Sequence, residues 1–425
     1  MTGPMTGPTR AAMLEARRRS PSARRRATRR RLRLLRTAAA LGLLGLLVVW
    51  LAVSGGGAAR RPQLRLRVTL PPLTTVGGAV ATAGAPVLPW PTTGEAAVDV
   101  PAVGYRAQSG REEPVPVASL TKIMTAYVVL EDHPLAPGSM GPRVEVTAGD
   151  AHQFGVDATT DQSNVLLKAG ETLTEHQLLE GLLVHSANDF AYSLAVWDAG
   201  SLDAFVARMN ATALTLGMRH THFADPSGYS PSSQSTAADL LRVASAAMSK
   251  PVFSQIVAMT SATLPLAGTV ESYTPLVGAT GVVGVKSGFT TAAGGGDVLA
   301  YRTSVDGQSF VALAAVTSQR TWTVLDFAGK AALALAKSAA ARVQTATVAA
   351  KGTVVAQLRR GGRTISLTTA SAVRLLTLEG ARVRQLVHIR VPRPGAKRGT
   401  QVGNADFVLA GQHVSVPVRA AARVP

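Results

Sequence analysis

Three short polar motifs in this chain combine residue types that can carry out acyl transfer. Ser119 precedes Lys122 by three positions, Ser186 precedes Asn188 by two, and the run 286–288 reads Lys-Ser-Gly. A serine hydroxyl is a weak nucleophile until a neighbouring base removes its proton, and a lysine amine can be that base. The residue types therefore indicate a serine nucleophile paired with a lysine base.

The spacing of Ser119 and Lys122 suits the first turns of a helix. Residues i and i+3 of a helix share one face, with Cβ atoms about 5–6 Å apart, so the amine can reach the hydroxyl. Lysine acts as a base only if its pKa falls from about 10.4 towards neutrality, a change of roughly 4 kcal/mol. Burial and a second cation lower a lysine pKa, and Lys286 is the expected cation if the motifs converge.

The other motif residues have types that suit proton relay and peptide binding. The hydroxyl of Ser186 is expected to lie between the base and the leaving group, and the Asn188 amide can hold both the base and a substrate amide. Lys286 and Ser287 suit a substrate carboxylate. Gly288 would let an extended peptide approach the strand edge closely.

Lysine is scarce in this sequence, which strengthens the catalytic interpretation. The chain has eight lysines against 36 arginines, two of the eight lie in these motifs, and no other Ser-x-x-Lys spacing occurs. Arginine cannot lose its proton in a protein, so titration requires lysine. The alternative treats Ser119 as a helix N-cap, 186–188 as a turn and Lys286 as a strand-end charge. Three such coincidences in this order are less expected than one catalytic set.

Apolar periodicity predicts the elements that would position the motifs. It indicates helical runs on both sides of a break at Ser186, within 175–196, and puts the first motif at the start of a helix. The remaining predicted elements are strands at 96–100, 282–286 and 310–316 and helices at 120–130, 237–248 and 323–343. This order predicts an α+β domain over residues 93–344. Alternating runs at 364–368, 387–391 and 414–418 predict a small all-β domain over 345–425.

The net charge of +19 is concentrated at the two ends of the chain. Residues 1–36 hold 12 arginines and one glutamate, residues 345–425 hold 13 basic and two acidic residues, and residues 68–344 carry a net charge of −7. An acidic centre disfavours a nucleic-acid-binding core, so no nucleic-acid partner is expected. The absence of cysteine excludes disulfides and thiolate chemistry. No metal or cofactor is expected.

The N-terminal segment predicts a membrane anchor. Residues 1–36 are expected to form a basic, disordered cytoplasmic tail, 37–57 a transmembrane signal anchor and 58–92 a Pro/Gly-rich linker without regular structure. From Thr37, 23 consecutive residues are uncharged, which is enough to span a bilayer, and the preceding arginines place the N-terminus inside. Cleavage near 52–54, giving a secreted protein, is the alternative.

The sequence around the motifs resembles a known family from about Gly94 to the end. The three motifs are those of penicillin-binding proteins and class A β-lactamases. The stretches 116–126, 182–189, 216–228 and 285–290 closely resemble the low-molecular-weight D-alanyl-D-alanine carboxypeptidases, the S11 peptidase family. The resemblance implies a β-lactamase/DD-peptidase-like catalytic domain, with an antiparallel sheet, helices and a helical subdomain. A C-terminal β domain that closes with a hairpin at 406–420 would follow it.

The resemblance also implies a role for each motif residue. Two residues depart from the family pattern: Ser287 stands where the family has threonine, and Asp225 stands where it commonly has asparagine. The implied roles are acylation at Ser119, general base at Lys122, proton transfer and substrate binding at Ser186 and Asn188, carboxylate binding at Lys286 and Ser287, and an oxyanion hole from the backbone N–H groups of Ser119 and Phe289.

The expected function is removal of the terminal D-alanine from peptidoglycan stem peptides, with β-lactams as inhibitors. A D,D-endopeptidase acting on cross-links and a non-catalytic envelope-binding protein are the alternatives. A class A β-lactamase is disfavoured because no glutamate lies between Glu180 and Glu271 to activate a deacylating water. His185 and His220 are histidine bases by type only, since no nucleophile-elbow pattern accompanies them. A zinc site needs several clustered ligands, so the pair of histidines at 220 and 222 alone is weak support for zinc.

Overall fold

The computed structural model describes residues 65–67, 87–110, 112–320 and 324–425. The predicted tail and membrane anchor, 1–36 and 37–57, lie outside these residues, as does most of the predicted linker. Within the described ranges, no helix is long and apolar enough to cross a bilayer. Part of the predicted linker is a short strand, Arg65–Arg67, that pairs antiparallel with Gln357–Arg359.

Between Ala96 and Ala340 the described chain contains both helices and strands, and strands alone follow Ala340. The helices are α1 (Lys122–Asp132), α2 (Ala148–Thr159), α3 (Glu175–Leu183), α4 (Asn188–Ala199), α5 (Leu202–Thr215), α6 (Ala237–Met248), α7 (Pro251–Ile256) and α8 (Val324–Ala340). The strands are β1 (Arg65–Arg67), β2 (Ala96–Val100), β3 (Tyr105–Ser109), β4 (Val115–Pro116), β5 (Arg143–Glu145), β6 (Thr172–Thr174), β7 (Gln234–Ser235), β8 (Ser261–Leu264), β9 (Gly268–Glu271), β10 (Val282–Thr290), β11 (Gly294–Val305), β12 (Gln308–Gln319), β13 (Gln344–Ala349), β14 (Val354–Arg360), β15 (Arg363–Thr369), β16 (Val373–Thr377), β17 (Arg384–Ile389), β18 (Gln401–Leu409) and β19 (Gln412–Ala420).

An antiparallel sheet with strand order β10-β11-β12-β2-β3 forms the centre of the fold. Side chains alternate across it: Val98 and Ala314 join a core that includes residues of α8, whereas Ala97 and Ala315 join the core of the other helices. Because both faces are covered at the centre of the sheet, β2 is buried at every position and β12 is buried from 312 to 317, whereas the edge strand β3 alternates between half-buried and exposed positions. The predicted α+β class is thus confirmed as a mixed fold of helices and sheet.

Helix α1 is the central element of the helical layer. It packs against α3, α4, α5 and α6. Its residues 122–126 are all buried, as expected for a helix that is surrounded on every side. The predicted helical runs around Ser186 are α3 and α4, and the predicted helix at 237–248 is α6. The first motif leads into α1 and the second lies between α3 and α4, and α1 packs against both of these helices.

The strands after Ala340, together with β1, form a second sheet with order β1-β14-β15-β19-β18-β17, and β13 and β16 form a separate pair. The predicted strands at 364–368, 387–391 and 414–418 correspond to β15, β17 and β19, and β18 and β19 form the expected closing hairpin. Their alternating inward side chains make a core of their own that includes Leu358, Leu367 and Val418. The alternation seen in the sequence therefore reflects one buried and one exposed face.

Strand β11 was not predicted, although it is central to the sheet. It begins with Gly294, Gly295 and Gly296, residues that are depleted in strands. A Cβ atom at Gly295 would lie 2.7 Å from the carbonyl oxygen of Val324 at the start of α8, and one at Gly296 would lie 3.0 Å from Leu120 Cδ1. The glycines therefore allow the sheet to pack closely against its neighbours. They also weaken the sequence pattern that would predict this strand.

Candidate active site

Ser119 lies in a short 3₁₀ turn, Ala118–Thr121, that leads directly into α1. The turn is held from outside, because the backbone N–H of Val117 donates to the carbonyl oxygen of Ser233 at 3.2 Å. Ala118 has φ of 48°, a left-handed conformation that costs a non-glycine residue about 1–2 kcal/mol. Such conformations persist where the surroundings enforce them, commonly at functional sites. The structure thus fixes the backbone of the predicted nucleophile.

Lys122 is the first residue of α1, and its side chain is fully buried. Its Nζ is 2.8 Å from Ser119 Oγ, 2.5 Å from Asn188 Oδ1 and 3.0 Å from the carbonyl oxygen of Ser227. The last two atoms can only accept hydrogen bonds, so they bind two N–H groups of the amine. The third tetrahedral direction of Nζ points at Ser119, where a neutral amine has its lone pair.

The surroundings of Lys122 favour this neutral form. Burial lowers the pKa of Lys122 well below its ordinary value, and the positive charge of Lys286 lowers it further. The carboxylates of Asp225, Asp157 and Asp189 act in the opposite direction. The convergence expected from the sequence is therefore present: the third motif brings its cation close to the base of the first.

The second motif occupies the break between α3 and α4. Ser186 is buried and left-handed, with φ of 65°, and it faces the same cleft as Ser119. Asn188 begins α4, and its Nδ2 donates to Gln162 Oε1 at 2.6 Å. The hydrogen bonds of Lys122 go to Ser119, Asn188 and Ser227 rather than to Ser186. The structure therefore supports the contact of Asn188 with the base, and it leaves the relay by Ser186 as a proposal.

The third motif lies on β10, which is an edge strand in the part of the chain that the structure describes. Lys286 is fully buried, and burial lowers its pKa to about 7, against the opposing effect of Asp297. Its Nζ donates to the carbonyl oxygen of Ser287 at 2.9 Å, and Ser287 Oγ donates to that of Tyr273 at 2.8 Å. A bound carboxylate would favour the charged form of Lys286.

Gly288 brings the backbone of β10 against the serine turn. A Cβ atom at this position would lie 2.9 Å from the backbone nitrogen of Ser119 and 3.1 Å from that of Leu120. Any larger residue would therefore press on the N–H groups next to the nucleophile. Phe289 follows at the rim with half of its surface exposed. The edge strand and the turn are thus adjacent, as the predicted oxyanion hole of Ser119 and Phe289 requires.

A cleft of about 560 Å³ connects the three motifs. Three exposed aromatic residues, Tyr229, Tyr273 and Phe289, are part of its lining, whereas Lys122 and Lys286 are fully buried. A cleft that combines aromatic rings with polar side chains suits a peptide chain that ends in a charged group. Of the predicted site residues, the following line the cleft directly: Ser119, Ser186, Asn188, Ser287, Gly288 and Phe289.

Sequence reasoning missed two groups that hold the site together. The carbonyl oxygen of Ser227 binds Lys122, and Gln162 binds Asn188. Ser227 lies in the stretch 216–228 that carries the family resemblance, but side-chain chemistry does not reveal a role for a backbone carbonyl. Gln162 lies in a polar loop after α2 whose sequence resembles any solvated loop. Its contact depends on the fold and has no local signal.

The histidines do not provide an alternative base. His185 Nδ1 is 3.0 Å from the carbonyl oxygen of Glu271, and its ring packs on Tyr273 with centroids 4.3 Å apart. His220 Nδ1 lies 3.6 Å from a carboxylate oxygen of Glu112. In the ranges that the structure describes, no group of three or more His, Cys, Asp or Glu side chains is placed to hold a metal ion.

Sequence comparisons place residues 106–317 in a family described as D-alanyl-D-alanine carboxypeptidase, peptidase S11. The chain is 38% identical over 194 residues to the D-alanyl-D-alanine carboxypeptidase DacB2 of Mycobacterium tuberculosis, over 44% of this chain and 62% of the relative. It is 36% identical over 143 residues to a D-alanyl-D-alanine endopeptidase of Pseudomonas aeruginosa, over 33% of this chain and 42% of the relative. The chain thus aligns with less than two thirds of either curated relative.

Solved structures extend the comparison. A D-alanyl-D-alanine carboxypeptidase from Mycobacterium tuberculosis is 30% identical with a TM-score of 0.52, over 62% of this chain and 96% of that one. The carboxypeptidase DacD from Francisella tularensis covers 80% of this chain and 95% of its own, with a TM-score of 0.55 and 19% identity, which shows the shared fold. In the fold and site described above, Ser119 lies in a turn that leads into a buried helix, beside an edge strand. The chain belongs to the S11 peptidase family.

Proposed function

We propose that this protein is a serine-type D-Ala-D-Ala carboxypeptidase that removes the terminal D-alanine of peptidoglycan stem peptides. The observation that carries the proposal is the environment of Lys122, whose Nζ is bound by two pure acceptors and directed at Ser119. A buried amine held in this way accepts a proton from the serine hydroxyl. The family membership and the carboxypeptidase names of the relatives support the same reaction.

In the proposed acylation step, Ser119 Oγ attacks the carbonyl carbon of the penultimate D-alanine while Lys122 Nζ takes the hydroxyl proton. The backbone N–H groups of Ser119 and Phe289 stabilise the resulting oxyanion, a contribution typically worth about 10²–10³ in rate. The proton then passes to the nitrogen of the leaving D-alanine, with the hydroxyl of Ser186 as the relay. The C–N bond breaks, and the peptide remains as an ester of Ser119.

Substrate binding follows from the edge strand and the buried cation. The peptide extends alongside β10, and its terminal carboxylate lies near Ser287 and Lys286. Serine retains the hydroxyl of the usual threonine, and this hydroxyl would turn from the carbonyl oxygen of Tyr273 to donate to the carboxylate. Asn188 exchanges its hydrogen bond with Gln162 for one to a substrate amide. The charge of the carboxylate also raises the protonated fraction of Lys286, whose pKa is about 7, and so helps to keep Lys122 neutral.

The test of this activity is the release of free D-alanine from a peptide that ends in D-Ala-D-Ala. We expect release by the wild-type chain and a fall to background in Ser119→Ala, which keeps the fold but lacks the nucleophile. A cross-linked muropeptide dimer serves as the second substrate. Cleavage of the dimer without release of D-alanine from the linear peptide would favour endopeptidase activity over carboxypeptidase activity. Endopeptidase is the activity named for the Pseudomonas relative. Neither product in a folded, pure chain would favour a non-catalytic envelope-binding role.

For location, we propose a single membrane anchor at 37–57, with the catalytic region outside the cell. The support is the uncharged apolar segment behind an arginine-rich leader. Alkaline carbonate washing of membranes should leave the full-length chain in the pellet, and protease added to intact cells without their wall should degrade the C-terminal region. A soluble product that begins after residue 54 would instead indicate the cleaved, secreted form.

A further inference from the structure

Asp225 is the centre of a hydrogen-bonded loop beside the base. Its Oδ1 accepts from the backbone N–H of Gly228 at 3.0 Å and from Ser233 Oγ at 2.6 Å. Its Oδ2 accepts from the backbone N–H of Ser230 at 3.2 Å and from Ser227 Oγ at 2.9 Å. Both carboxylate oxygens are therefore engaged, and the side chain is almost completely buried.

This pattern requires a carboxylate rather than an amide. A hydroxyl can turn to donate or accept, but a backbone N–H can only donate. The N–H of Gly228 faces one oxygen of Asp225 and the N–H of Ser230 faces the other, so an asparagine would place its NH₂ group against one of them. A buried donor without an acceptor is unfavourable. The aspartate is thus matched to this loop.

The loop that Asp225 organises makes the contacts that position the base. The carbonyl oxygen of Pro226 accepts from Thr125 Oγ1 on α1 at 2.6 Å, and that of Ser227 accepts from Lys122 Nζ at 3.0 Å. Gly228 packs so closely that an added Cβ would lie 1.8 Å from the carbonyl oxygen of Ala118, next to the nucleophile. Three consecutive residues after Asp225 therefore touch the serine turn or the helix that carries the lysine.

We propose that Asp225 is a positioning residue for the general base, holding the loop 226–230 so that Ser227 fixes Lys122 Nζ towards Ser119. The inference rests on the proposed acyl transfer and deepens it. Asp225 also has an electrostatic role. Its negative charge raises the pKa of Lys122, whereas burial and the positive charge of Lys286 lower it. Asp225 thereby raises the pH above which the base is available.

Other charges face Lys122 and share this control. Lys286 approaches from β10, Asp157 from α2, and Asp189 from α4. Burial raises the pKa of Tyr192, which is also on α4, and the charge of Asp225 acts in the same direction. Burial raises the pKa of Asp157, and it raises that of Asp189 to about 7, so Asp189 carries little charge well below neutral pH. Among the three carboxylates, Asp225 has the largest effect on the pKa of Lys122.

The test is the pH profile of acylation by a fluorescent penicillin, measured with the full chain in detergent. The rate should rise with pH as Lys122 loses its proton. Removing a nearby negative charge lowers a lysine pKa, so in Asp225→Asn the acidic limb should move to lower pH. The plateau should also fall, because the loop loses an acceptor. Ser233→Ala loosens the same loop without changing its charge, and its limb should stay at the wild-type pH.

An acidic limb that stays at the wild-type pH in folded Asp225→Asn would overturn the inference. If that variant does not fold, Asp225→Ser removes the same charge and leaves room for a water that accepts from both N–H groups. Failure of both variants to fold would make Asp225 a folding residue and would also count against the proposal. A wild-type chain that is never acylated would instead refute the proposed function, so the two failures are distinguishable.

Discussion

Replacement of Lys122 by arginine is expected to slow the acylation of Ser119 by about 10²–10⁴-fold, the usual contribution of a general base. Arginine keeps the positive charge and the donor groups but cannot lose its proton. If Lys122 only held a charge beside the serine, this substitution would be mild. The measurement is the second-order rate constant of covalent labelling by fluorescent penicillin, taken on the pH plateau of the wild type.

Lys250→Arg provides the matched control for this experiment. Lys250 is a partly buried lysine outside the cleft that pairs with Glu131 and donates to the carbonyl oxygen of Leu130. Its replacement should leave the labelling rate within about twofold, since a surface ion pair contributes little. Circular dichroism and melting curves establish that both variants are folded. A Lys122→Arg variant that labels at the wild-type rate would rule out lysine as the base.

Gly228→Ala is expected to give the second large effect, a loss of at least about 100-fold in acylation rate together with about 3 kcal/mol of stability. The added Cβ would lie 1.8 Å from the carbonyl oxygen of Ala118 and 2.6 Å from Thr121 Oγ1. Because φ of Gly228 is +80°, an alanine would also adopt a left-handed conformation. Either the serine turn or the loop carrying Ser227 must move, and both position the reacting groups.

Gly217→Ala separates the clash from the backbone strain. Gly217 has φ of +76°, nearly the same as Gly228, but an added Cβ there meets nothing within 4 Å. It should therefore lose only about 1 kcal/mol of stability and keep its labelling rate. Urea denaturation and penicillin labelling of the two variants give the comparison. Equal effects at the two glycines would show that the contact with Ala118 is unimportant for the site.

The sequence predicted the chemistry of the site better than its framework. Ser119, Lys122, Ser186, Asn188 and the run 286–288 were found because their side-chain types have few other uses at those spacings. The carbonyl oxygen of Ser227 was not found, because every residue has a carbonyl and only the fold directs this one at Lys122. Backbone groups that position a base have no signature in residue type.

The framework was predicted where its periodicity is strong. Helix α6 and strand β2 match their predicted bounds, since each has a regular apolar pattern. Strand β11 was missed because its first residues are glycines, selected by the close approach of Val324 and Leu120 rather than by strand propensity. The departure at Asp225 was visible in the sequence, but its meaning required the two backbone N–H groups that flank the carboxylate.

Covalent attachment of penicillin to Ser119 tests the central claim most directly. Opening of the β-lactam ring by Ser119 Oγ adds the mass of one whole penicillin molecule, because no group leaves. With no glutamate between Glu180 and Glu271 to activate water, the adduct should persist for the time of a mass measurement. We expect intact-mass spectrometry of the full chain to give this single increase, located by digestion to the peptide containing Ser119 and absent in Ser119→Ala. An unmodified wild-type chain, or an adduct that remains in Ser119→Ala, would contradict the account.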